Sequence, residues 1–200
     1  MSTPFAVLTV CTGNVCRSPA AERLLAARLG SSSGVVVSSA GTGALVGASI
    51  PSPMASLLAD AGASPDGFAA RQLTEQVLRE SDVVLALTRA HRARVVDLWP
   101  GAVRRTFTLR ELARLAAAVD PDALPSGSVA ERFAALVPLA GAIRATLPTV
   151  RPEEDDVIDP YRRDDAVYAT SFGQLRPAVE TIATVLGRTP GAAAPAASAG

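Results

Sequence analysis

The residues Cys11-Thr-Gly-Asn-Val-Cys-Arg-Ser18 bring two thiols, a guanidinium and two hydroxyls into one short loop. The β-branched, apolar run Phe5 to Val10 reads as a buried strand leading into the loop, and Ser18-Pro19 reads as an N-cap and first position of a helix leading out of it. Successive backbone N–H groups between a strand end and a helix start form an anion nest, reinforced by the helix dipole. Gly13 and Asn14 are residue types that tolerate left-handed backbone angles, which turn those N–H groups inward. A dianionic phosphate suits such a nest. Arg17 lies far enough along the loop to return its guanidinium to the same oxygens and grip two of them. The same dipoles and charge favour a thiolate at Cys11, and a thiolate beneath a bound phosphoryl group is a nucleophile. Thr12, Gly13, Asn14, Val15, Cys16 and Ser18 are the candidate phosphate-binding residues around it.

In-line displacement by sulfur needs a proton for the departing oxygen. Asp159 is the candidate donor, because Pro160 restricts it to extended conformations and stiffens a loop able to lean over the pocket mouth. Its carboxylate would then activate water against the cysteinyl phosphate. Glu153, Glu154, Asp155, Asp156, Asp164 and Asp165 surround it, so a solvated acidic face is the competing reading. Cys16 reads either as a wall residue or as a thiol that traps oxidised Cys11 in a reversible disulfide. The one histidine, His91, reads as a surface residue of an arginine-rich helix. A nucleotide-binding P-loop does not fit, since the chain contains no lysine.

These groups need a scaffold, and the rest of the chain supplies one. A helix over Pro19 to Leu29 and a strand over Val35 to Ser39 complete a β-α-β unit, which sets the architecture as α/β. Helices follow at Pro53 to Ala61 and Thr74 to Arg79, a strand at Asp82 to Leu87, a helix at Ala90 to Leu98 and a fourth strand at Arg104 to Phe107. Thr108-Leu-Arg-Glu111 and Ser128-Val-Ala-Glu131 are capping boxes that open two further helices, the second ended or kinked by Pro138. The last helix spans Ser171 to Leu186, and residues 187–200 read as a disordered Ala/Pro/Gly tail.

Composition narrows the function classes. The 200 residues are 48% hydrophobic and 19% charged, the profile of one folded domain over residues 1–186. Acidic and basic residues balance at 19 each, so no global field is available for nucleic acid or an anionic membrane. Two free cysteines and no signal segment suggest a cytoplasmic protein, expected to be monomeric or weakly dimeric.

The stretch Val10 to Glu22 resembles the phosphate loop and first helix of low molecular weight protein tyrosine phosphatases. Ser39-Ala-Gly-Thr-Gly43, Arg71-Gln-Leu-Thr74 and Asp156-Val-Ile-Asp-Pro-Tyr161 resemble the later motifs of that family in the same order. The resemblance implies a three-layer sandwich with a four-stranded parallel sheet, order 2-1-3-4, flanked by helices. It implies Cys11 as nucleophile, Arg17 as phosphate clamp and Asp159 as general acid, with no metal or organic cofactor. Ser18 would hydrogen-bond the thiolate, Asn14 brace the loop, and Leu45 and Tyr161 line the pocket. Roughly forty residues, about Leu109 to Arg151, exceed what the family places before its Asp-Pro loop and form a helical insertion. Thr12 stands where many relatives put a larger apolar residue. The expected substrate is a phosphotyrosine protein or a small phosphate ester. The alternatives are an arsenate reductase using Cys11 with an external thiol, and a catalytically silent phosphate-binding module.

Overall fold

A computed structural model describes residues 3–148 and 150–187. Four parallel strands, β1 (Phe5–Cys11), β2 (Val35–Gly41), β3 (Val83–Ala86) and β4 (Thr106–Thr108), form one sheet in the order β2-β1-β3-β4. The central strand β1 pairs with β2 through Cys11 opposite Gly41 and with β3 through Val10 opposite Ala86. The chain leaves β1 toward one neighbour and later returns to the other, so the crevice at its carboxyl end is where such sheets hold ligands.

Alternation along β1 explains the layers. Val7 and Cys11 belong to the larger core, together with Leu24 and Leu25 of α1 (Arg17–Leu29) and residues of α2 (Ser52–Asp60). Leu8 and Val10 face the smaller core, with Leu78 of α3 (Glu75–Arg79) and Val95 of α4 (Arg89–Leu98). Both sheet faces are therefore covered, as the uninterrupted apolar sequence of β1 requires. The larger core continues through α5 (Leu109–Ala118), α6 (Val129–Ile143) and α8 (Asp165–Gly187), while the short α7 (Pro152–Asp155) leads into the Asp-Pro segment.

Both capping boxes form at Thr108 and Ser128. Three expectations change. Pro138 lies inside α6 without ending it. The last helix starts at Asp165, six residues before Ser171, and continues through Pro177. Helix α1 starts at Arg17 with no side-chain cap, because the Ser18 hydroxyl is used elsewhere. Residues 188–200 of the expected tail lie outside the described residues, and Gly187 is the last residue of α8.

Candidate active site

The loop between β1 and α1 is shaped by the loop after β2. Carbonyl groups of Cys11, Thr12 and Gly13 accept hydrogen bonds from the amides of Thr42, Gly43 and Leu45, each at 3.0 Å. The N–H groups of Gly13, Asn14, Val15 and Cys16 make no hydrogen bond among the described residues. Only Asn14 takes the left-handed conformation, at φ 53°, and Gly13 does not. The glycine that matters by close approach is Gly41, where a Cβ would run into the Thr12 carbonyl oxygen.

Asn14 makes that strained turn affordable through three contacts. Its Oδ1 accepts from the Arg71 amide at 2.8 Å, and its Nδ2 donates to Ser18 Oγ at 2.9 Å and Ser39 Oγ at 2.7 Å. Ser39 in turn donates to Glu22 Oε2 at 2.6 Å. Burial pushes the Glu22 carboxyl upward, opposed by the Ser39 hydrogen bond and the charges of Arg23 and Arg71. Since Ser18 Oγ accepts from Asn14, its own proton is free to point at Cys11 Sγ, 3.0 Å away. The chain from Glu22 to Ser18 thus ends with a donor aimed at the sulfur.

Arg17 is buried, with Nη1 donating to the Val157 carbonyl at 3.2 Å and Nη2 lying 2.7 Å from Asp159 Oδ2. Its Nε is buried without a partner among the described residues. The Asp-Pro segment is pinned on several sides. Val157 N donates to the Leu87 carbonyl just beyond β3, and Ile158 N donates to Gln174 Oε1. Asp155 is buried and paired with Arg114 at 2.9 Å and Arg89 at 3.3 Å, while Asp156 Oδ1 accepts from the Arg89 amide at 2.7 Å. The acidic stretch is therefore not simply a solvated face. Tyr161 N donates to Asp159 Oδ1 at 3.1 Å, which fixes the second carboxylate oxygen.

One pocket is lined by Cys11, Thr12, Gly13, Val15, Cys16, Arg17, Gly43, Leu45, Asp159 and Tyr161. Asn14 and Ser18 are fully buried and support it from behind. Among the described residues Tyr161 is the single aromatic side chain in the lining. Burial pushes the Cys16 thiol up to about 11, against a contact of 3.7 Å with Tyr168 Oη that pulls the other way. His91 corrects its sequence reading outright. It is buried and its Nε2 lies 2.9 Å from Thr12 Oγ1.

A model of the low molecular weight phosphotyrosine protein phosphatase family matches residues 6–123. The chain belongs to this family. Among its relatives, the low molecular weight protein-tyrosine-phosphatase Etp of Escherichia coli is 42% identical over 101 residues, 50% of this chain and 66% of Etp. That match spans just under two thirds of the relative's length. The crystal structure of the Erwinia amylovora tyrosine phosphatase AmsI superposes with a TM-score of 0.65 at 24% identity, covering 94% of this chain and 95% of AmsI. The YwlE arginine phosphatase from Geobacillus stearothermophilus gives 0.64 at 25% identity, covering 90% of this chain and 92% of that one. The family match ends at residue 123, short of Asp159, so the Asp-Pro segment stands on its geometry.

Two groups of supporting residues carried too weak a sequence signal to be found. Gln174 and Arg114 act on the site from α8 and α5, and no local pattern links them to residues 155–159. The Ser39-Glu22 contact joins a strand to a helix. No cluster of metal-ligating side chains and no helix long and apolar enough to cross a membrane occurs among the described residues.

Proposed function

We propose that this chain is a phosphate monoester hydrolase, a protein tyrosine phosphatase working through a cysteinyl phosphate on Cys11. The observation that carries this reading is the convergence of Cys11, Arg17 and Asp159 on one pocket, beside loop amides from Gly13 to Cys16 that have no partner among the described residues. A phosphoryl group bridging Arg17 Nε and Nη2 would satisfy the unpartnered Nε and take the place of Asp159 on the guanidinium. The exchange is inexpensive. Asp159 is half exposed, and such ion pairs contribute about 0–1 kcal/mol.

Cys11 sulfur attacks phosphorus, and the bond from phosphorus to the ester oxygen breaks. Asp159, released from Arg17 and protonated, gives its proton to that oxygen. In the second half-reaction the Asp159 carboxylate takes a proton from water as the water oxygen attacks phosphorus, and the sulfur leaves as thiolate. The Ser18 hydroxyl supports negative charge on sulfur at both ends of this cycle. Tyr161 and Leu45 supply the apolar wall for an aromatic leaving group.

The substrate is proposed to be phosphotyrosine in proteins or a small aryl phosphate. The setting is proposed to be the cytoplasm, where free thiols persist. The test is hydrolysis of p-nitrophenyl phosphate and of phosphotyrosine and phosphoarginine peptides at mildly acidic pH, beside Cys11→Ser and Asp159→Asn. Aryl phosphate turnover abolished by Cys11→Ser supports the reading. Wild-type rates no higher than those of Cys11→Ser contradict it, and preference for phosphoarginine contradicts the tyrosine assignment.

A further inference from the structure

Behind the phosphate loop lies a hydrogen-bonded chain that the chemistry above does not use. His91, the only histidine in the sequence, sits in the first turn of α4 and is 6% exposed. Its Nδ1 is 2.8 Å from Thr88 Oγ1 and its Nε2 is 2.9 Å from Thr12 Oγ1. Thr88 is the N-cap of α4, and its Oγ1 already accepts the His91 amide at 3.1 Å.

The directions of these bonds follow from counting protons. Thr88 has one hydroxyl proton, and the only acceptor beside it among the described residues is His91 Nδ1. With Nδ1 accepting, the ring proton is on Nε2, and Nε2–H donates to Thr12 Oγ1. The reverse direction would leave the Thr88 proton with solvent as its acceptor. Both directions need an uncharged ring. Burial and the Arg17 charge push His91 down to about 4, with Asp159 pulling the other way.

Thr12 is held from two sides. Its carbonyl accepts from Gly43 N at 3.0 Å and its hydroxyl oxygen accepts from His91. The Thr12 hydroxyl proton then has no acceptor among the described residues, and Thr12 lines the pocket. Thr12 is exposed at the pocket, so this proton is free to go to solvent or to the oxygen of a bound ligand.

We propose that His91 is a positioning residue of the phosphate pocket: its neutral imidazole, oriented by Thr88, fixes the Thr12 side chain so that the Thr12 hydroxyl donates to an oxygen of the bound phosphoryl group. This rests on the phosphate reading of the pocket. It adds a side-chain donor to the backbone amides and to Arg17, and gives α4 a part in ligand binding through Thr12.

The test has two parts. In the unaltered protein, nitrogen NMR of the single histidine at neutral pH should report a protonated Nε2 and an unprotonated Nδ1, with the Nε2 signal moving when inorganic phosphate is added. An Nδ1–H tautomer, or a charged ring, overturns the proposal. The second part measures inhibition by inorganic phosphate in wild type, Thr12→Val, His91→Leu and the double variant. Each single substitution should weaken phosphate about 5- to 10-fold, the worth of one hydrogen bond, and the double should match Thr12→Val within about twofold. Losses that multiply in the double variant, or a His91→Leu protein that binds phosphate as well as wild type, overturn the positioning role alone. A wild type that binds no phosphate overturns the pocket reading on which it rests.

Discussion

Arg17 Nη2 and Asp159 Oδ2 lie 2.7 Å apart, so the proposed phosphate clamp and the proposed proton donor are paired with each other in the free protein. The two side chains are unequally exposed, 6% for Arg17 and 54% for Asp159. The buried guanidinium is therefore the fixed partner and the carboxylate the one that exchanges with solvent or with a phosphoryl group.

That asymmetry separates binding from turnover. Asp159→Ala should lower kcat for an aryl phosphate by about 10²- to 10³-fold, the usual worth of a positioned acid. The same substitution should leave inhibition by inorganic phosphate unchanged or improve it by up to about fivefold, because a competing half-exposed ion pair is gone. Steady-state kinetics with phosphate as inhibitor reads both quantities from one preparation.

The Glu22-Ser39-Asn14-Ser18 chain makes a second prediction. Ser18→Ala removes the donor at 3.0 Å from Cys11 Sγ while leaving the Asn14 bonds to Ser39 and Arg71 in place. Hydrogen bonds to charged groups contribute about 1.5–3 kcal/mol, so kcat should fall by about 10- to 100-fold with a midpoint of urea unfolding close to wild type. Asn14→Ala should cost stability as well, since it removes the bonds that hold a left-handed turn.

The two thiols should differ in reactivity. Both thiols line the pocket, but burial holds Cys16 near 11, so its thiolate is scarce at neutral pH, whereas Cys11 Sγ has the Ser18 hydroxyl as a partner at 3.0 Å. Iodoacetamide at pH 7 should modify Cys11 alone, phosphate should protect it, and Cys11→Ser should take up no label. Peptide mass mapping distinguishes the two sites.

His91 makes stability depend on pH in a set direction. Its proton affinity falls from an ordinary 6.5 to about 4 on folding, so between these values the unfolded chain takes up a proton that the folded chain refuses. The His91 contribution is complete above pH 6.5 and is lost as pH falls toward 4. The gap corresponds to roughly 3 kcal/mol at its fullest. His91→Gln should flatten the acid side of the urea-midpoint profile by that order, while the carboxylate contributions remain.

The sequence was most readable where chemistry and chain order coincide. Cys11 to Ser18 are contiguous, and a strand before them with a helix after them already places the loop at the carboxyl edge of a parallel sheet. The capping boxes at Thr108 and Ser128 were legible because each closes within one turn. Asp159 could be nominated from its proline, but its pairing with Arg17 spans most of the chain and depends on Val157, Gln174 and Asp155. His91 was misread because three arginines around it suggested a solvated helix face, while its burial comes from α4 lying against the phosphate loop. Ser18 looked like a helix cap for a similar reason. Its hydroxyl is equally suited to a backbone amide or to the Cys11 sulfur, and only the folded loop decides between them.

The central claim is a covalent phosphocysteine, and rapid-quench mass spectrometry during turnover of p-nitrophenyl phosphate tests it most directly. The account predicts a burst of nitrophenol matched by one phosphoryl group on the peptide carrying Cys11, absent from Cys11→Ser and longer-lived in Asp159→Asn. Turnover with no phosphorylated Cys11 peptide at any time point, or undiminished turnover in Cys11→Ser, would contradict it.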